Sequence, residues 1–254
     1  MTRTSPAVDP PTGWVDIHCH ILPGLDDGPG DRQLSLAMAR RALESGTRVL
    51  VATPHITPGI YDNSLSRIER ETARMRDDLL QHQIDLDLRC AADVRLCPEL
   101  LRLATEESLP TLNRGGPRRY FLLEFPHDSI PPGSDKVVRR LLDRRYVPIL
   151  THPERNAAVL AHSEKLTPFL EMGCLCQVTA GSLAGEFGLA VQRCAIRLLE
   201  KEWIHLMASD AHDMLHRPPD LRQGVEAAAR VVGLARALSM VTSVPKAILQ
   251  CAAA

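Results

Sequence analysis

Val15-Asp16-Ile17-His18-Cys19-His20-Ile21-Leu22-Pro23-Gly24-Leu25-Asp26-Asp27-Gly28 is the stretch on which the reading of this chain turns. The apolar run before His18 predicts a strand, and Pro23-Gly24 predicts a loop. Residues i and i+2 of a strand point to the same side. His18 and His20 therefore leave the strand end together, and Cys19 points the other way. Carboxylates on the following Pro/Gly-rich loop can swing back to join them. Two imidazoles and a carboxylate begin a metal site, although H-x-H alone fits a surface or core histidine pair equally well.

The same chemistry recurs at wide intervals: Thr53-Pro54-His55, Cys90-Ala91-Ala92-Asp93, Leu123-Glu124-Phe125, Thr151-His152-Pro153-Glu154-Arg155 and Ser209-Asp210-Ala211-His212. Strands are expected at 14–18, 48–52, 87–91, 120–124, 147–151, 175–178 and 205–208. Helices are expected near 31–45, 64–82, 97–106, 134–144, 163–171, 187–202 and 219–231, the first with Asp31 as N-cap and Gly46 as stop. Repeated β-then-α units predict one α/β domain with a mainly parallel sheet, most economically a closed or nearly closed barrel. His18, His20, His55, Asp93, Glu124, His152, Asp210 and His212 then fall at or just beyond strand C-termini, the face on which such barrels carry chemistry. Packing explains this pattern poorly, because unpaired buried charge is costly.

Each residue also has a plainer reading. Glu124 caps an apolar strand, where a carboxylate wants a cation; a salt bridge to a neighbouring arginine such as Arg118 or Arg119 is the alternative. Arg155 suits a phosphate clamp, because its planar fork binds phosphate oxygens in pairs; the alternative is an ion pair with Glu154 or another acid. Arg217, before Pro218-Pro219, can reach the same pocket. His127 and His216 lie near the site loops. His82, His162 and His205 read as ordinary surface or amphipathic histidines. Asp16 is a candidate acceptor for orienting a ligand imidazole.

The bulk of the chain narrows the classes. A formal net charge of −1, with 4% aromatic residues, argues against a polynucleotide track. No apolar run approaches the roughly 20 residues of a membrane span, so no direct membrane insertion is expected. Seven cysteines without a C-x-x-C pair read as reduced, mostly buried thiols of a cytoplasmic protein. Residues 1–13, with Pro6, Pro10 and Pro11, read as a disordered leader before a domain at 14–254. No C-x5-R loop or Gly-rich P-loop is present.

Together these motifs resemble the PHP (polymerase and histidinol phosphatase) superfamily, and within it the capsular-polysaccharide protein-tyrosine phosphatases of the CpsB/YwqE type. Asp16–Pro29, Ala52–His55, Leu123–Phe125, His152–Arg155 and Ala208–His212 carry the resemblance. It implies a distorted (β/α)7-type PHP barrel holding two or three metal ions, most often Mn²⁺, with Fe or Zn also found. It implies His18, His20 and Asp210 on one ion, Glu124 and His152 on a second, and Asp27, His55 and His212 on a third, with Arg155 and Arg217 on the phosphate. The implied substrate is the phosphotyrosine tail of a membrane-associated bacterial tyrosine kinase that controls capsule or exopolysaccharide synthesis. The alternatives are a small phosphomonoester such as histidinol phosphate, or a catalytically weak phosphotyrosine-binding regulator; an oligomer is compatible with either. The family usually has a bridging glutamate where this chain has Asp93, one methylene shorter.

Overall fold

The computed structural model describes residues 13–113 and 115–250. The leader expected at 1–13 lies outside them apart from Gly13, as does Cys251. The first unit is β1 (Trp14–Cys19), α1 (Arg32–Glu44) and β2 (Thr47–Ala52). The second strand breaks at Thr53-Pro54 and resumes as β3 (His55–Ile56). After α2 (Leu65–Gln81), β4 (Asp87–Cys90) breaks at Ala91-Ala92 and resumes as β5 (Asp93–Arg95). Then follow α3 (Leu100–Thr105), β6 (Arg119–Glu124), α4 (Ser134–Asp143) and β7 (Tyr146–Thr151). A 3-10 turn (Pro153–Arg155), α5 (Ala157–Ala161), a second 3-10 turn (Ser163–Leu166) and α6 (Thr167–Glu171) lead to β8 (Leu175–Thr179). The chain ends through α7 (Ala180–Ala184), α8 (Leu189–Glu200), β9 (Leu206–Ala208), α9 (Arg222–Val232), α10 (Leu234–Ser239) and α11 (Ser243–Gln250).

All strand pairs are parallel, in the orders β1-β2-β4 and β3-β5-β6-β7-β8-β9. Because β3 and β5 continue β2 and β4, the nine strands fill seven positions. The end of β9 returns to β1 through an isolated bridge, Cys19 to Ala211, and through the bonds Asp210 N–H to His18 O (2.8 Å) and His20 N–H to Ala211 O (2.8 Å). A bridge in place of a full ladder is the distortion of this α/β barrel.

The seven expected strands are all present; the short resumptions β3 and β5, beyond the expected strand ends at Ala52 and Ala91, were not foreseen. The helix expected at 163–171 is a 3-10 turn followed by α6, and the one expected at 187–202 starts at Leu189. α5, α7, α10 and α11 were not foreseen; each has eight residues or fewer, too short for a clear helical period. Asp31 does cap α1, its carboxylate accepting from Leu34 N–H at 2.9 Å.

The core has two layers. The larger lies between strands and helices. The smaller lies inside the strands, where Val15, Ile17, Val51, Leu122, Ile149 and Leu206 pack with Ile248 and Leu249 of α11. A bulge in β1 matters here: Asp16 pairs with Leu50 and Cys19 with Ala52, so three steps on β1 face two on β2. The extra residue lets Ile17 join the interior apolar layer while its neighbour His18 joins the polar cluster above it.

Candidate metal centre

Nine side chains from the strand C-termini converge: His18, His20, Asp27, His55, Asp93, Glu124, His152, Asp210 and His212. They form four overlapping groups, within each of which the donor atoms lie within 4.8 Å of one another: His20/Asp27/His55/His212, His18/His20/Asp210, His18/Asp93/His152 and His55/Asp93/Glu124. The grouping differs in detail from the one the resemblance implies. His20 joins the Asp27 group, and Asp93 is shared between the groups that contain His152 and Glu124. His152 Nε2 also lies 3.8 Å from Glu124 Oε1.

Three of the five histidines are held by their outer nitrogens. His18 Nδ1 meets Gln177 Oε1 at 2.9 Å, His20 Nδ1 meets Asp26 Oδ2 at 2.6 Å, and His212 Nδ1 meets the Asp210 carbonyl at 2.9 Å. With Nδ1–H donated outward, each Nε2 presents a lone pair to the centre. His18 Nε2 and His20 Nε2 are only 3.1 Å apart, an arrangement that needs a proton or a cation between two such lone pairs. His152 and Asp210 adopt φ of 34° and 53° at the ends of β7 and β9. Such positive-φ backbone costs about 1–3 kcal/mol at a non-glycine residue, and here it turns two candidate ligands back over the sheet.

Burial and close charges pull the members of the cluster in opposite directions. Burial pushes the His18 imidazolium down to about 3. Burial also opposes charge on His20, but hydrogen bonds and charge from Asp210 and Asp26 overcome it and hold that group up at about 10. Burial and the neighbouring Glu124 carboxylate push Asp93 well above the usual carboxylate range. Asp210, by contrast, is held well below it: burial works against the charge, but Arg155, His18 and Arg217 outweigh it. Its Oδ1 faces His18 Nε2 at 3.2 Å and His20 Nε2 at 3.4 Å, while its Oδ2 pairs with both Arg155 and Arg217.

Several expectations are corrected. Asp16 orients no imidazole; its Oδ1 accepts from the backbone N–H groups of His18 (3.3 Å) and Ser209 (3.1 Å). Gln177 and Asp26 hold the rings instead. Gln177 lies 159 residues from His18 and has no local signal, whereas Asp26 stood beside Asp27 in the opening motif. Glu124 does pair with an arginine, but the partner is Arg95, whose Nε is 2.8 Å away, and not Arg118 or Arg119. Arg155 does pair with an acid, as its plainer reading allowed, but with Asp210; Glu154 turns inward to accept from Thr179 N–H at 3.0 Å. His127 is an exposed rim residue, its Nε2 3.9 Å from Glu124. Cys174 and Cys176 lie in the core, as expected. No described helix is long and apolar enough to cross a membrane.

The sequence and the fold have known counterparts. The chain is 36% identical to the tyrosine-protein phosphatase YwqE of Bacillus subtilis (strain 168) over 203 residues, covering 80% of this chain and 79% of the relative. It is 26% identical over 240 residues to the tyrosine-protein phosphatase CpsB of Streptococcus pneumoniae, covering 92% and 98%. A solved structure among those of YwqE and CpsB, described as metal-dependent tyrosine phosphatases, superposes with a TM-score of 0.88 at 32% identity, covering 94% of this chain and 95% of that one. The family model for capsular polysaccharide synthesis, CpsB/CapC, matches residues 14–250, which include every strand and all nine converging side chains. The chain therefore belongs to the CpsB/CapC family.

Proposed function

We propose that the chain is a metal-dependent protein-tyrosine phosphatase, with residues 14–254 as its catalytic unit. The observation that carries this reading is Asp210, one oxygen of which faces the histidine cluster while the other holds two arginines. A phosphoryl group presents terminal oxygens to two sides at once, and this carboxylate sits between a cation-binding cluster and a pair of guanidinium forks.

The donor set fits metal ions. His55 Nδ1 and Asp93 Oδ2 are buried without a hydrogen-bond partner among the described residues. Uncompensated buried groups of this kind are costly unless a ligand meets them. Nitrogen and carboxylate donors without thiolate suit Mn²⁺, Fe or Zn; Mn²⁺ is our assignment, with two or three ions. His18, His20 and Asp210 would hold one ion, Asp27, His55 and His212 another, and Glu124 and His152 a third. Asp93 would be shared: its Oδ2 lies 3.6–3.8 Å from His18, His55 and His152 nitrogens, so the missing methylene does not keep it out of the centre. When bound, such ions lower the pKa of a water and screen phosphoryl charge.

The chain's own residues supply the rest. Arg155 and Arg217 leave Asp210 Oδ2 for the phosphoryl oxygens and stabilise the charge that spreads over them. Asp26 and Gln177 keep the His20 and His18 rings from rotating, so their Nε2 atoms stay directed inward. A tyrosine leaving group has a pKa of about 10 and needs little protonation to depart. The proposed substrate is the phosphotyrosine tail of a membrane-associated bacterial tyrosine kinase, met from the cytoplasm, in control of capsule or exopolysaccharide synthesis.

The test is phosphate release from a phosphotyrosyl peptide and from histidinol phosphate by chelator-stripped protein, with and without Mn²⁺. Metal-restored hydrolysis that favours the peptide is expected. Preference for histidinol phosphate would move the protein to small phosphoesters. Tight peptide binding without turnover would make it a regulator.

A further inference from the structure

Both arginines of the clamp share a feature that the sequence reading did not touch. The ring of Phe187 lies under them: Arg155 Cζ is 4.9 Å from its centroid and Arg217 Cζ is 6.0 Å away. Both distances fall within the range of cation–π attraction. We propose that Phe187 is a positioning residue for the phosphoryl clamp, its ring holding the two guanidinium groups together over Asp210. The proposal rests on the phosphatase reading for its substrate, but not for its geometry.

The physical need is plain. Two guanidinium groups sit on a single carboxylate oxygen, so two positive charges share one negative charge and repel each other. A phenyl face attracts cations without using their N–H groups. It therefore offsets the repulsion and leaves the forks free for phosphoryl oxygens. A carboxylate in the same place would bind the forks themselves and compete with substrate.

The presenting loop is built, not loose. Gly185-Glu186-Phe187-Gly188 joins α7 to α8 with φ of 93° and 87° at its two glycines, conformations that L side chains rarely adopt. Glu186 N–H bonds Gly181 O at 2.9 Å, Gly188 N–H bonds Gly185 O at 3.1 Å, and Gln192 Nε2 donates to Leu183 O at 2.9 Å. A Cβ on Gly185 would stand 3.1 Å from that same amide nitrogen. Glu154, the neighbour of Arg155, is fully buried and accepts from Thr179 N–H at the start of α7. The turn that carries Arg155 and the segment that carries Phe187 are thus tied at their roots.

The experiment is inorganic phosphate binding to the manganese-loaded protein, by calorimetry, for wild type, F187L and F187Y, with peptide kinetics alongside. F187L is expected to keep its metal content, to weaken phosphate binding about three- to thirtyfold, and to lose kcat in step. F187Y, which keeps the ring, is expected to stay close to wild type. Unchanged phosphate affinity in F187L overturns the proposal. So does F187Y as weak as F187L, which would mean that the ring face is not what matters, and so does a wild type that binds no phosphate. Absence of phosphotyrosine turnover in a wild type that does bind phosphate would instead defeat the phosphatase reading and leave the Phe187 result to stand.

Discussion

At the inner, N-terminal side of the strands, Val15, Ile17, Leu122 and Ile149 pack against Ile248 and Leu249 of α11 with hardly any surface exposed. At the C-terminal side of the same strands, nine titratable side chains crowd together, and two of them bend the backbone into positive φ. The floor is made of groups that gain by leaving water. The rim is made of groups that lose by it, brought together by the helices and strands behind them. The comparison teaches that this fold draws its stability from one end of the strands and concentrates unmet charge at the other, where cations and a phosphoryl group are proposed to enter.

Changes at the two ends should therefore fail in different ways. Ile248→Ala is expected to cost about 2–5 kcal/mol of stability, read by urea unfolding, with metal content per folded molecule unchanged; loss of metal would break the comparison. Arg155→Ala is expected to keep metal and fold while kcat drops on the order of a hundred- to a thousandfold. Asp26→Asn, which weakens the hold on His20, should lower metal affinity about ten- to a hundredfold, as measured by competition with a chelating dye.

The pH dependence sharpens the rim further. Without metal, His20 is held protonated to about 10, above its ordinary value. To bind a cation through Nε2 it must lose that proton, so protons and metal compete. Metal affinity should then rise with pH by up to about tenfold per unit until the imidazolium titrates. Manganese titrations one pH unit apart, in a weakly buffered solution that also reports proton release, check both the slope and the sign. The raised value also means that the charged His20 stabilises the metal-free fold. That contribution is full below the ordinary histidine pKa and is lost as pH rises towards about 10.

The smallest expected effect runs opposite to intuition. Asp93→Asn removes a buried carboxylate that crowds Glu124, so the chelator-stripped variant should unfold about 1 kcal/mol later than stripped wild type. The same variant should bind metal more weakly. A destabilised metal-free variant would show that Asp93 is already satisfied within the protein.

Much of this was legible in the chain, for identifiable reasons. The β/α alternation follows from short apolar runs ending at polar residues, as in Phe121-Leu122-Leu123-Glu124, and all seven expected strands are present. His18, His55 and His152 stood out because each lies within three residues of the end of such a run. The strands were expected to end at Ala52 and Ala91, where they do break; their resumption as β3 and β5 was hidden because two or three residues are too few to show a period. Arg95 was passed over because nothing in Asp93-Val94-Arg95 says that its guanidinium reaches Glu124 on the next strand.

What the sequence by itself determined is the inventory and its order: which side chains close each strand, and that nitrogen and carboxylate donors recur at those ends. Those are local properties, written in residues a few positions apart. The tertiary structure alone decided the contacts across the barrel. The β1 bulge directs His18 inward, Gln177 fixes its ring from β8, Asp210 divides its two oxygens between histidines and arginines, and Phe187 lies beneath the arginines. Each depends on the register between strands far apart in the chain and on backbone turns such as those at His152 and Asp210, and a one-residue slip would turn every such side chain to the other face.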